Sequence, residues 1–123
     1  MSSPIVFISK FRIKEGRLDD FKRFFQQGSK SIEAEKPGTI VFLSYLSENS
    51  REASIIHVFP DAESMDLHVE GAEERSKAAY EFLEPAGVEL YGAPNEAVVK
   101  MFRNAGVPLT ISPENLGGYV RFD

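Results

Sequence analysis

The chain has only two histidines, and both fall within one short stretch, His57 to Glu70, HVFPDAESMDLHVE. An imidazole with an ordinary pKa of about 6.5 is mostly neutral at physiological pH, so it can take a proton from a hydroxyl or hold a polar substrate atom. His68 is the first candidate for a base. The apolar run Ser54 to Phe59 ends at Pro60, and Asp61 is a good N-cap, so His68 belongs to a helix at the rim of a sheet with Met65 one turn before it. His57 shares a strand face with Ile55 and Phe59. It points either into a helix-covered core or into a space on the other side of the sheet, and a hydrogen-bonded structural role suits it better than a substrate contact. Tyr45 is a candidate donor into that space, and Phe59 and Met65 are candidate apolar contacts.

Other constellations carry less. Asp61, Ser64 and His68 share a helix face, but nothing supplies a nucleophile elbow, so a cap and a surface pair describe them better than a hydrolytic triad. Two histidines eleven positions apart do not make a metal motif, and no metal is expected. Gly117-Gly118 is a lone pair and not a phosphate-binding loop. Arg103 and Arg121 could hold an anion, although exposed ion pairs are the plainer role. The absence of cysteine removes disulfides, thiolate zinc sites, iron–sulfur clusters and cysteine nucleophiles.

The elements that must position these groups follow from patterning. With 123 residues, 42% of them hydrophobic and ten Phe spread along the chain, one folded domain with a genuine core is expected. A net charge of −5 disfavours a nucleic-acid partner, no apolar run approaches the roughly 18 residues of a membrane span, and the opening residues lack signal-peptide architecture. A soluble cytoplasmic protein is the expectation. Residues 1 to 36 carry eight Lys or Arg against five Asp or Glu, so the basic charge is concentrated there. Lys10, Arg12 and Lys14 alternate along the first strand, as if guarding a solvated sheet edge.

Ile5 to Ile13 alternates as a strand, and Arg17 to Lys36 has the period of a helix that Pro37-Gly38 ends. Thr39 to Ser47 and Ala53 to Phe59 read as a hairpin. A short helix from Asp61 is followed, after a bend at Gly71, by helical residues Ala72 to Glu84; Pro85 stops them, and Val88 to Tyr91 is a fourth strand. Strand, helix, strand, strand, helix, strand is the split βαβ order of ferredoxin-like α+β folds. Residues 1–94 form that domain, and 95–123 extend it with a helix capped by Asn95 and added strands at Val107 to Ile111 and Tyr119 to Phe122. The first three strands are apolar on both faces, yet helices cover only one. A second copy packed sheet to sheet would cover the other face and enclose a space between subunits; a monomer folding its C-terminal segment across that face is the alternative.

Taken together, FRIKEGRLDDFKRFF and HVFPDAESMDLHVE make residues 5 to 92 resemble the antibiotic biosynthesis monooxygenase group of the dimeric α+β barrel superfamily. His68 takes the place of that group's helix histidine, and Phe59 that of the strand's closing aromatic. Departures are plain: there is no tryptophan, Glu70-Gly71-Ala72-Glu73-Glu74 stands where a further histidine often follows, and the first asparagine is Asn49, which disfavours haem degradation. The resemblance implies a homodimer that oxidises an apolar phenol, quinol or polyketide with oxygen, without metal, flavin or other cofactor, in a pocket between sheet and second helix. It equally admits a non-enzymatic small-molecule binder, or a cyclase or isomerase.

Overall fold

The computed structural model describes residues 3–121. Nine elements follow in order: β1 (Ile5–Ile13), α1 (Leu18–Glu35), β2 (Val41–Leu46), β3 (Glu52–Phe59), α2 (Ala62–Val69), α3 (Ala72–Ala79), β4 (Leu83–Tyr91), α4 (Glu96–Arg103) and β5 (Leu109–Ser112). The strands form one sheet in the order β2-β3-β1-β4-β5, antiparallel except for the parallel β4–β5 pair. This is the ferredoxin-like α+β fold that the element order predicts, with β5 added beyond β4.

Alternation along each strand divides the residues into two sets. Ile5, Phe7, Ser9 and Ala53, His57 and Phe59 turn toward the helices and are buried. Val6 pairs with Val58 and Ile8 with Ile56, while Val41 and Leu43 of β2 continue that row on the opposite, open face. The helix-covered core forms two clusters. One gathers Ile5, Phe7, Phe59, Met65, Leu90 and Val98. The other gathers Phe21, Ala53 and Leu83, with Phe24, Phe25 and Phe82 packed on them. Completely buried side chains such as Phe59, Met65 and Leu90 each contribute about 1.5–3 kcal/mol of transfer free energy.

Local chemistry explains where the helices begin and end. The Asp61 carboxylate accepts from the Ser64 amide at 2.8 Å, capping α2 as expected. Gly71, with φ of 78°, supplies the left-handed residue that breaks α2 from α3. Gly38 lies so close to α2 that a Cβ there would sit 2.7 Å from the Ser64 hydroxyl, which brings the β2 entrance against that helix.

The structure corrects four expectations. Helical structure stops at Ala79, and β4 begins at Leu83, so Pro85 lies inside a strand. It is tolerated there because the β1–β4 register shifts between Lys10 and Phe11, where a ladder donor is not needed. Lys10, Arg12 and Lys14 do not guard an edge, since β1 is the central strand. Their charges meet cross-strand or local acceptors: Lys10 pairs with Glu89 at 2.8 Å, Arg12 with Glu84 at 3.6 Å, and Lys14 Nζ donates to the Tyr80 carbonyl. Among the described residues the C-terminal segment does not fold over the open face: α4 packs on the helix-covered side against Phe7, β5 extends the sheet edge, and residues 113–121 are exposed. Residues 113–121 contain no strand, and Phe122 lies outside the described residues. Among the described residues, no helix is long and apolar enough to cross a membrane.

Candidate active site

β3 places His57 between Phe7 of β1 and Phe42 of β2 on the helix-covered side. Its ring stacks on Phe7 at 4.3 Å between centroids and is 5% exposed. His57 Nδ1 lies 3.0 Å from the Phe7 carbonyl oxygen. A carbonyl can only accept, so Nδ1 carries the proton and Nε2 of the neutral ring keeps a free lone pair.

His68 sits in the last turn of α2 and faces the sheet, 4% exposed. Its ring stands 5.0 Å from that of His57, nearly perpendicular at 82°. Phe59 backs it at 5.2 Å and Phe42 flanks it at 5.9 Å. Thr39 Oγ1 lies 2.7 Å from His68 Nδ1 and fixes the ring plane. The C-terminal carbonyls of α2 are served by two cations from neighbouring elements. Lys36 Nζ donates to Leu67 O at 2.6 Å, and Arg75 donates to the carbonyls of His68 and Glu70. Positive charge at a helix C-terminus is favourable, so this arrangement also anchors the turn that carries His68.

Both imidazoles are held neutral. Burial lowers His57 to about 3, helped by the charges of His68 and Arg75 and opposed by the bond to Phe7. His68 falls to about 4, first by burial and then by the nearby Arg75 and Lys36 cations.

The two rings share the wall of a cavity of about 980 Å³ lying between the sheet, α1, the α2–α3 corner and α4. Phe25 of α1, Phe42 of β2 and Phe102 of α4 give it an aromatic lining, and Phe102 sits 4.9 Å from Phe7. This volume matches that of a drug-sized ligand site. α4 is tied to α2 through Asn95 Nδ2, which donates to the Asp66 carboxylate, so the C-terminal extension builds one wall. A smaller hollow of about 500 Å³ beside Arg12, Asn49 and Arg51 contains no histidine. Among the described residues, no three His, Asp or Glu side chains converge as metal ligands.

Of the residues singled out in the sequence, the structure brings His57 and His68 together on the cavity wall. Phe59 and Met65 are completely buried and back the imidazoles from behind. Tyr45 is 60% exposed on the opposite face of the sheet, so it does not join them. The cavity beside His68 lies between the sheet and the helices that cover it. Thr39, Arg75 and Phe102 were not singled out. Pro37-Gly38 marks the turn that delivers Thr39, but nothing local marks Arg75.

No protein-family model matches the sequence, nor does any curated protein sequence. Solved structures do match. MupZ from Pseudomonas fluorescens superposes with a TM-score of 0.77 at 17% identity, covering 98% of this chain and 96% of that one. SnoaB, a cofactor-independent oxygenase from Streptomyces nogalater, gives 0.62 at 15% identity over 76% of this chain and 96% of its own. A Caulobacter crescentus CB15 protein, provisionally described as an antibiotic biosynthesis monooxygenase, gives 0.66 at 13% identity over 76% and 92%. The fold is that of the antibiotic biosynthesis monooxygenase structures, as the sequence resemblance predicts.

Proposed function

We propose that the chain is a homodimeric, cofactor-independent monooxygenase acting on a phenol, quinol or polyketide-type molecule held in the 980 Å³ cavity. The observation that carries this reading is the pair of buried imidazoles, 5.0 Å apart, set into the cavity wall beside phenylalanine rings. His68 is the base, His57 Nε2 is a second acceptor that orients the substrate, and the surrounding rings give the substrate apolar contacts. An imidazole with its pKa lowered to about 4 is a weak base in isolation. A phenolate formed beside it supplies the opposite charge that burial denies it, which raises its proton affinity at the moment of transfer. The resulting electron-rich anion reduces oxygen directly. One oxygen atom enters the product and the other leaves as water, so a ring methylene and O₂ give a carbonyl and H₂O.

The dimer reading is supported by the apolar row Val6, Ile8, Val41, Leu43, Ile56 and Val58, on the face of the sheet opposite the buried core and covered by no helix among the described residues. Oxygen uptake on adding anthrones or naphthols tests the activity. One O₂ should be consumed per product, and His68→Ala should lower the rate by about 10²-fold or more with the fold intact. Undiminished turnover in that variant removes His68 from the mechanism.

The paired imidazoles, 5.0 Å apart on the cavity wall, also support a second reading. Two imidazoles can also move a proton between substrate atoms without oxygen, as a cyclase or isomerase requires. Conversion under strictly anaerobic conditions selects that reading.

A further inference from the structure

We propose that the cavity accepts an acidic aromatic molecule, whose carboxylate is held by Arg75 while its apolar body lies against the phenylalanines and imidazoles. This rests on the cavity being the substrate site.

Arg75 is half-buried in the cavity wall, midway along α3, and reaches the corner where α2 ends. Its two recorded bonds go to neutral acceptors, the carbonyls of His68 and Glu70. A guanidinium has five N–H donors in a planar fork, so three remain. Among the described residues, no carboxylate oxygen comes within 4.0 Å of Arg75; the four ion pairs lie at Lys10, Arg12, Arg17 and Arg23. Lys36 at the same corner likewise bonds only carbonyls. Two cations outside any ion pair therefore meet at one end of the cavity, whose lining also carries Lys10 and the rim carboxylates Glu35, Glu70, Glu73 and Glu74. Capping of α2 accounts for the carbonyl bonds, but a single lysine would suffice for that, and it leaves the fork's remaining donors without partners. The nearby carboxylates of Glu35, Glu70, Glu73 and Glu74 are exposed, where water and salt screen them. Arg75 helps to lower both imidazoles, and Glu35 acts on Arg75 in turn.

The test compares 2-naphthoate with its methyl ester, by calorimetry at pH 7.5 on the full chain. A charge-assisted bidentate bond favours the acid by about tenfold or more. Arg75→Met should abolish that preference and leave ester affinity within about twofold, since the apolar contacts remain. A crystal structure of the wild-type protein with 2-naphthoate gives a second measurement that does not depend on the variant folding: the carboxylate should lie on the Arg75 guanidinium. Equal affinity for acid and ester, binding of neither, a preference that survives Arg75→Met, or a carboxylate directed elsewhere overturns the inference. Absence of oxygen uptake alongside an Arg75-dependent acid preference defeats the monooxygenase reading and leaves this one standing; oxygen uptake with acid and ester binding equally does the reverse.

Discussion

The two faces of the sheet are built from the same strands, yet they solve different problems. On the helix-covered face, alternate residues of β1, β2 and β3 supply Phe7, Phe42 and His57, and the helices enclose a cavity instead of closing on the strands. The two imidazoles there are held, Nδ1 of His57 by a carbonyl and His68 by Thr39, while the buried Ser44 hydroxyl has no partner among the described residues. On the open face the residues one position along present Val6, Ile8, Leu43 and Tyr45, with a surface network in which Glu89 accepts from both Lys10 and Tyr91. The lesson is that burial, more than residue type, decides the chemistry. Glu89 on the open face stays ionised, its carboxyl held below the usual range by the hydrogen bonds from Lys10 and Tyr91, whereas the imidazoles are driven to neutrality by desolvation.

The largest blow to this contrast is Phe59→Ala. It removes a completely buried ring that packs on His68, and should cost about 3–5 kcal/mol in denaturant unfolding. Next comes acid. In the unfolded chain the two histidines titrate near 6.5, but in the native protein they resist protonation until about 4 and about 3. The unfolded state therefore binds more protons as pH falls below 6.5, and stability is lost by a few kcal/mol between about pH 6.5 and pH 3, the His68 share being complete by about pH 4. Above 6.5 this contribution is fully present. Equilibrium unfolding across pH measures it, and His57→Gln should flatten the slope.

On the open face, Leu43→Asp should split the proposed dimer in sedimentation while cavity binding persists, because Leu43 projects away from the histidines. The smallest effect is expected at Tyr45. Tyr45→Phe should stay within about 0.5 kcal/mol in unfolding and leave turnover unaltered, since its exposed hydroxyl serves neither core nor cavity.

Period-two alternation made both faces of β1 and β3 legible, and the cap at Asp61 and the break at Gly71 made α2 legible. Those signals are local, and they sufficed to bring His57 and His68 into view. β4 escaped because Phe82 and Leu83 complete a helical stripe as readily as they begin a strand, and a proline inside a strand is readable only once the β1 bulge is known. Thr39 and Arg75 escaped for another reason: Thr39 lies 29 positions from His68, and the wall that Arg75 joins exists only once helices pack on the sheet. Tyr45 went to the open face because the strand reading left undecided which side the helices take.

The central claim is that burial keeps an imidazole pair neutral on the wall of the cavity, and an NMR titration of the two histidine rings from pH 8 to pH 3 tests it most directly. Both rings should remain neutral down to about pH 5, with the His57 proton on Nδ1. A midpoint near 6.5 for either ring would mean that water reaches it freely, and the account would be contradicted.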